Sequence, residues 1–88
     1  MKQEMRALLD REVQRWSAKT VRELLTELAE LQVYVVNADG AEYQIEVQIL
    51  ENCTEYVHVS IAVDDGRFPR AFFPMSNSFI CKKQAANL

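Results

Sequence analysis

Apolar and polar residues alternate in two runs between Tyr43 and Val63, separated by a short polar segment. Alternation with a period of two is typical of strands that bury one face. Residues opposite each other in an antiparallel pair share a face, so a three-residue loop at 52–54 aligns the two apolar sets. This loop lacks Gly, and we expect Asn52 or a local bulge to absorb the strain. The expected pairs are Ile49 with Val57, Val47 with Val59, Ile45 with Ile61, and Tyr43 with Val63.

Residues 2–31 contain neither Gly nor Pro, and their apolar positions recur at helical spacing. A single helix of this length would span about 42 Å, longer than the about 33 Å of a ten-residue strand. Ser17 can cap a second helix, and Thr20 with Glu23 matches a capping box, so we expect a break near residues 17–20. One unbroken helix is the alternative. The apolar stripe that should lie on the sheet consists of Leu24, Leu28 and Leu31.

The two Gly residues both follow Asp, at 39–40 and 65–66, and Asp-Gly is a strong signal for a two-residue hairpin. The first turn joins a strand at 32–36 to the central hairpin. The second leads into a fourth strand, which Pro69 places at an edge because proline cannot donate to a strand ladder. The expected pairs are Val36 with Tyr43, Tyr34 with Ile45, Val63 with Phe68, and Val59 with Phe72.

These elements predict one α+β domain over residues 1–88, in which one or two N-terminal helices pack on a four-stranded antiparallel meander. Residues 1–31 are helical, 32–73 form the sheet, and 74–88 form a C-terminal segment. Within that segment Ser76-Asn77-Ser78 has the composition of a turn or a helix cap. The following residues, 79–81, suit either a short return strand or a helical turn.

Composition excludes several classes of protein. The net charge of −3 argues against nonspecific nucleic-acid binding, which needs concentrated Lys and Arg. No apolar run approaches the ~20 residues that span a bilayer, so we expect no membrane segment and no secretion signal. Cys53 and Cys81 make neither a disulfide framework nor a metal motif, which favours reduced thiols in the cytoplasm. We therefore expect no metal and no cofactor.

His58 is the only histidine. The predicted register places it opposite Gln48 and diagonal to Glu46, which could orient it as a general base. No nucleophile is predicted beside it, so a surface histidine is the favoured interpretation. Asp64 and Asp65 lack the spacing of a calcium loop and suit a turn before Gly. We therefore predict no catalytic residue.

The most informative feature is the second face of the sheet, opposite the apolar set of Tyr43 to Ile49. It carries too many apolar side chains for a fully solvated face. Either the first helix, with Met5, Leu9 and Trp16, folds over it, or two copies meet there or along an edge strand. The candidate interface residues are Val33, Val35, Tyr56, His58, Ala62, Pro69, Ala71 and Phe73.

We therefore expect a small noncatalytic protein-interaction domain that forms a homodimer and binds a protein partner. Its acidic balance suits a basic partner, as in toxin-neutralising immunity proteins or chaperones of secreted proteins, an analogy of class without a motif. The alternative is a small ligand-binding domain or enzyme centred on His58, with Glu46 and Tyr56.

Overall fold

The computed structural model describes residues 2–66 and 75–83 of the chain. They form two helices followed by a four-stranded antiparallel sheet, an α+β architecture with the strand order β1-β2-β3-β4. The predicted fold class is confirmed. The elements are α1 (Lys2–Ser17), α2 (Val21–Glu27), β1 (Gln32–Ala38), β2 (Ala41–Asn52), β3 (Tyr56–Asp64) and β4 (Met75–Lys82).

The helical segment breaks at Thr20, as the capping pattern predicts, and the unbroken helix is wrong. Glu23 N–H donates to Thr20 Oγ1 (3.1 Å), and Thr20 N–H donates to Glu23 Oε1 (2.8 Å). This reciprocal pair satisfies two donors that the first turn of α2 would otherwise leave without partners. Ser17 does not cap α2; it ends α1, and its Oγ donates to the Gln14 carbonyl (3.3 Å).

Both helices contribute to one core on a single side of the sheet. The apolar alternation of β2 and β3 buries Ile45, Val47, Val59 and Ile61 completely. Helix α1 lies across β3 and β4. The helical side chains buried in the same cluster are Leu8, Leu9, Trp16, Leu24 and Leu28.

One of the alternatives for the second face and one expectation about the apolar stripe of α2 are wrong. Leu9 and Trp16 pack into the core, so α1 does not cover the second face. Leu31 is 51% exposed and does not continue the stripe of Leu24 and Leu28, because α2 ends at Glu27 and Leu31 immediately precedes β1.

The β1–β2 register is the one predicted, with Val36 opposite Tyr43 and Tyr34 opposite Ile45. Asp39 (φ 52°) and Gly40 (φ 78°) both have positive φ, which identifies a type I′ turn. This turn twists in the same sense as the strands, so β1 and β2 pair without interruption from Gln32 to Ala38.

The predicted β2–β3 pairs are wrong by two residues, although the shared face is right. Ile49 lies opposite Val59, Val47 opposite Ile61, and Ile45 opposite Val63, and the register shifts between Ile49 and Glu51. The extra residue at this bulge is Leu50. A shift of two preserves the side-chain parity of a strand, so the apolar set of both strands still faces the core.

The fourth strand differs most from expectation. Val63 lies opposite Met75 and Val59 opposite Phe79, so the pairing of Val63 with Phe68 and of Val59 with Phe72 is wrong. The open choice for the C-terminal segment is settled as a strand, and Ser76-Asn77-Ser78 lies inside it rather than in a turn or cap. Asp65-Gly66 does not join β3 directly to β4, because β4 begins at Met75. The predicted strand at 67–73 lies outside the described residues.

Candidate interaction surface

The second face of the sheet carries no helix within residues 2–66 and 75–83. Strand alternation and the observed register identify its members, because each lies across from another residue of the same face. Val33 lies opposite Glu46, which lies opposite Ala62, which lies opposite Ser76. The next rows of the same face contain Val35, Gln44 and Asp64; Gln48, Ser60 and Ser78; Glu51, His58 and Ile80; and Tyr56 and Lys82.

The apolar part of this surface lies along β1. Val33 is 50% exposed and Val35 is 58% exposed, and Leu31, just before the strand, is 51% exposed. Scattered exposed aliphatic residues are normal, but these three lie at alternate positions: Val33 and Val35 are in β1, and Leu31 directly precedes it. They form a short apolar stripe at the edge of the sheet.

The middle of the second face is polar and hydrogen-bonded. Tyr56 Oη donates to Glu51 Oε1 (2.8 Å), and this hydrogen bond and the charge of Glu51 raise the pKa of Tyr56 to about 12. His58 Nε2 lies 3.0 Å from Ser78 Oγ. Both contacts are exposed, so they orient side chains at the surface without closing a pocket around them.

The charges on this face are mostly negative. Its register places four carboxylates there, with Lys82 as a cation of β4. One of them, Glu46, accepts from Gln44 Nε2 (3.2 Å). A face of this sign attracts a basic surface and repels an acidic one. The carboxylates are Glu42, Glu46, Glu51 and Asp64.

The structure brings five of the predicted interface residues together on the second face, and the other three lie outside the described residues. Ile80, 50% exposed, and Leu50, 53% exposed, are apolar surface residues that the sequence reasoning missed. Alternation gave no signal for Ile80, because it lies between Phe79 and Cys81 in an unbroken apolar run. The five residues on the face are Val33, Val35, Tyr56, His58 and Ala62; the other three are Pro69, Ala71 and Phe73.

The surroundings of His58 differ from the predicted ones. Glu51 and Ile80 lie opposite it, whereas Gln48 lies opposite Ser60, because β2 continues to Asn52, the connection to β3 follows at 53–55, and Leu50 is bulged. A serine hydroxyl does approach the ring, a contact that the sequence reasoning did not foresee. A Ser–His contact can activate a hydroxyl as a nucleophile when a third group orients the histidine.

A concavity of about 440 Å³ lies elsewhere, between the start of α1 and the β1–β2 turn. Its lining includes Leu8, Arg11, Asn37 and Asp39, and His58 is not part of it. Asp64, considered above as a cation ligand, instead accepts from Gly66 N–H (2.8 Å), as a residue shaping a turn does. Within the described ranges no group of three or more His, Cys, Asp or Glu residues is placed to hold a metal ion.

A second polar cluster, on the core side, was not predicted. Tyr34 Oη donates to Glu12 and accepts from Trp16 Nε1 (2.8 Å) and Arg15 (3.0 Å). Burial and the hydrogen bond to Glu12 raise the pKa of Tyr34. The spacing of Glu12, Arg15 and Trp16 on one helix face was visible in the sequence, but their partner on β1 was not. This cluster joins α1 to the edge strand.

No protein-family model, curated protein or solved structure matches this chain. Among the described residues, no helix combines the length and the apolar character needed to cross a membrane.

Proposed function

We propose that this protein is a noncatalytic protein-binding domain, and that the second face together with the edge strand β1 is its binding surface. One observation supports this most directly: both helices pack on the other side of the sheet, while Val33 and Val35 remain half exposed or more. Apolar side chains on an uncovered sheet face gain free energy when a partner removes them from water. We place the protein in the cytoplasm, where the free thiols of Cys53 and Cys81 would stay reduced.

The partner that suits this surface is a basic protein. The carboxylates of β2 and β3 lie beside the apolar stripe, so a partner could cover the valines and pair its Lys or Arg with the carboxylates. Complementary charge of this kind increases the rate of association and selects against acidic partners. Because such charges are exposed, salt should weaken the complex.

Site-specific photo-crosslinking in the native host tests this proposal. A photoreactive phenylalanine analogue at Val35 or Ala62 should give adducts with another protein, whereas the same analogue at Gln14, exposed on α1, should not. The charge reversal Glu46→Lys should reduce the adducts. Asp10→Lys, which changes the net charge equally on the helical side, should leave them unchanged. Adducts at Gln14 as abundant as at Val35, or none from the second face, would contradict the proposal.

The contact of His58 Nε2 with Ser78 Oγ favours a second candidate, a small hydrolase or ligand-binding domain centred on His58. In that case Ser78 is the nucleophile, and Glu51, opposite His58, is the nearest carboxylate by register. An activated ester such as p-nitrophenyl acetate distinguishes the two candidates. The binding domain predicts equal, background hydrolysis by the wild type, His58→Ala and Ser78→Ala. Turnover by the wild type that both substitutions abolish would favour the hydrolase.

A further inference from the structure

We propose that two copies of this chain pair antiparallel along β1, so that the two sheets join into one of eight strands. The inference rests on the proposed function in one respect, since β1 is part of the proposed binding surface; it names the occupant of that edge as a second copy.

The β1–β2 turn determines which backbone groups of β1 are unpaired. A two-residue type I′ turn at Asp39-Gly40 makes Ala38 and Ala41 a hydrogen-bonded pair, and such pairs then alternate along the ladder. Val36 and Tyr34 therefore direct their N–H and C=O groups toward β2. Val33 and Val35 direct theirs away from it, as does Asn37. Since β1 is the first strand in the order, these groups lie on an edge with which no other strand of residues 2–66 and 75–83 pairs.

This edge lacks the features that normally prevent pairing. Natural edge strands are protected by Pro, Lys, bulges or short length, and an unprotected edge pairs readily with another strand. From Gln32 to Ala38 the strand contains no Pro and no charged residue, and its register with β2 shows no bulge. It is therefore regular, uncharged and long enough to accept a further strand.

A second copy fits this edge because the strand is complementary to itself. In an antiparallel pair of β1 strands, the residues whose backbone N–H and C=O groups point away from β2 bond to the same residues of the other copy. Val33 and Val35 of one copy therefore lie next to Val33 and Val35 of the other. The four valines form a continuous apolar strip on the second face. Because Gln32 to Ala38 carries no charge, the paired strands place no like charges opposite each other.

Charge also excludes the other way in which two copies could meet. Stacking the second faces would bring Glu46, Glu51 and Asp64 of one copy toward the same carboxylates of its partner, at a net charge of −3 per chain. Like charges juxtaposed in an interface are strongly unfavourable. Pairing along β1 leaves both acidic surfaces in water, where they remain open to a basic partner.

Sedimentation velocity of the purified full chain, from low to high micromolar concentration, tests the dimer. The wild type should change from a species of 10.2 kDa to one of twice that mass as concentration rises. Val33→Lys should raise the dissociation constant of the dimer by roughly tenfold or more, because two ammonium groups would then lie in the valine strip. Gln48→Lys, exposed on β2 of the same face, adds the same charge away from the edge and should leave the dimer intact.

A proline substitution distinguishes pairing through the backbone of β1 from association through side chains of the second face. Val35→Pro removes an N–H that points away from β2, so it should abolish the dimer while the β1–β2 ladder is retained. In the wild type, amide exchange followed by NMR gives a second measurement that needs no variant. The amides of Val33 and Val35 should be protected only at concentrations at which the dimer forms, whereas those of Tyr34 and Val36 should be protected throughout.

A chain that stays monomeric at high micromolar concentration would overturn this inference. So would a dimer that Val33→Lys leaves unchanged, or one in which the amides of Val33 and Val35 exchange freely. Should Val35→Pro fail to fold, the exchange pattern and Val33→Lys still decide the question. These outcomes are independent of the photo-crosslinking result. A monomer that forms adducts from Ala62 would support the proposed function and contradict the dimer. A dimer that forms no adducts with another protein would support the dimer and contradict the proposed function.

Discussion

Replacing Tyr34 by Phe tests whether the polar cluster between α1 and β1 stabilises the fold. The substitution removes one oxygen that makes three hydrogen bonds, to Glu12, Arg15 and Trp16. Glu12 is only 5% exposed and Trp16 only 4%, so water has little access to the groups that lose their partner. The ring of Tyr34, including its contact with Arg15, can remain in place.

The expected loss in the free energy of unfolding depends on which hydrogen bonds Trp16, Glu12 and Arg15 retain without the Tyr34 hydroxyl. Trp16 Nε1–H has Tyr34 as its hydrogen-bond acceptor, and an unsatisfied buried donor costs about 1–3 kcal/mol. Glu12 keeps its ion pair with Arg15 (3.3 Å), and the half-exposed Arg15 side chain can rehydrate. We therefore expect the free energy of unfolding to fall by about 2 kcal/mol. For a domain of this size, that corresponds to a melting temperature lower by roughly 10 °C.

Urea and thermal denaturation, followed by circular dichroism, measure this loss. Tyr56→Phe is the matched control, because it removes a hydroxyl that also bonds a carboxylate, Glu51, but at an exposed position (2.8 Å). The control should lose clearly less stability than Tyr34→Phe, because water can replace the lost hydrogen bond at an exposed position. A loss below about 0.5 kcal/mol for Tyr34→Phe, the size of an ordinary surface substitution, or equal losses for the two variants, would refute the reasoning.

Three further predictions follow from other parts of the structure. Thr20→Ala should lower the free energy of unfolding by about 1 kcal/mol in urea titration, because the capping box of α2 is lost; an unchanged midpoint would contradict this. Ile61→Ala should lower it by about 2–5 kcal/mol, since Ile61 is fully buried and a cavity remains. The hydrogen bond to Glu51 raises the pKa of Tyr56 to about 12 in the folded protein, whereas the pKa of an unfolded tyrosine is roughly 10. The interaction therefore contributes to the free energy of unfolding below about pH 10, and this contribution is lost as pH rises through 12. Glu51→Gln should shift the tyrosinate absorbance transition of that residue to lower pH, and an unmoved transition would exclude Glu51 as the cause.

Short sequence patterns predicted the elements that are determined by interactions between residues close together in the chain. The capping box at Thr20 and Glu23 lies within four consecutive residues, and the Asp39-Gly40 turn determines the β1–β2 register by its own geometry. Long alternation likewise identified the core face of β2 and β3. In each case the signal lies within the segment that it describes, so the sequence pattern and the structure agree.

The fourth strand and the bulge could not be derived in this way. Ser76-Asn77-Ser78 has the composition of a turn, yet pairing with β3 holds it in a strand, so tertiary context overrides local propensity. Asp65-Gly66 resembles Asp39-Gly40, but β4 starts well beyond it. The cluster around Tyr34 joins residues far apart in sequence, and its partners become evident only when α1 and β1 are placed together.

The bulge at Leu50, which the predicted register lacks, determines which face of the sheet carries Glu51. Regular pairing beyond Ile49 would place Leu50 on the second face and Glu51 on the core face, opposite Val57, which is fully buried. The extra residue moves Glu51 to the second face, opposite His58 and within hydrogen-bonding distance of Tyr56. Burying an unpaired, ionised carboxylate on the core side would lower the free energy of unfolding by roughly several kcal/mol. One inserted residue therefore keeps the core apolar and adds a carboxylate to the surface that we propose binds a basic partner.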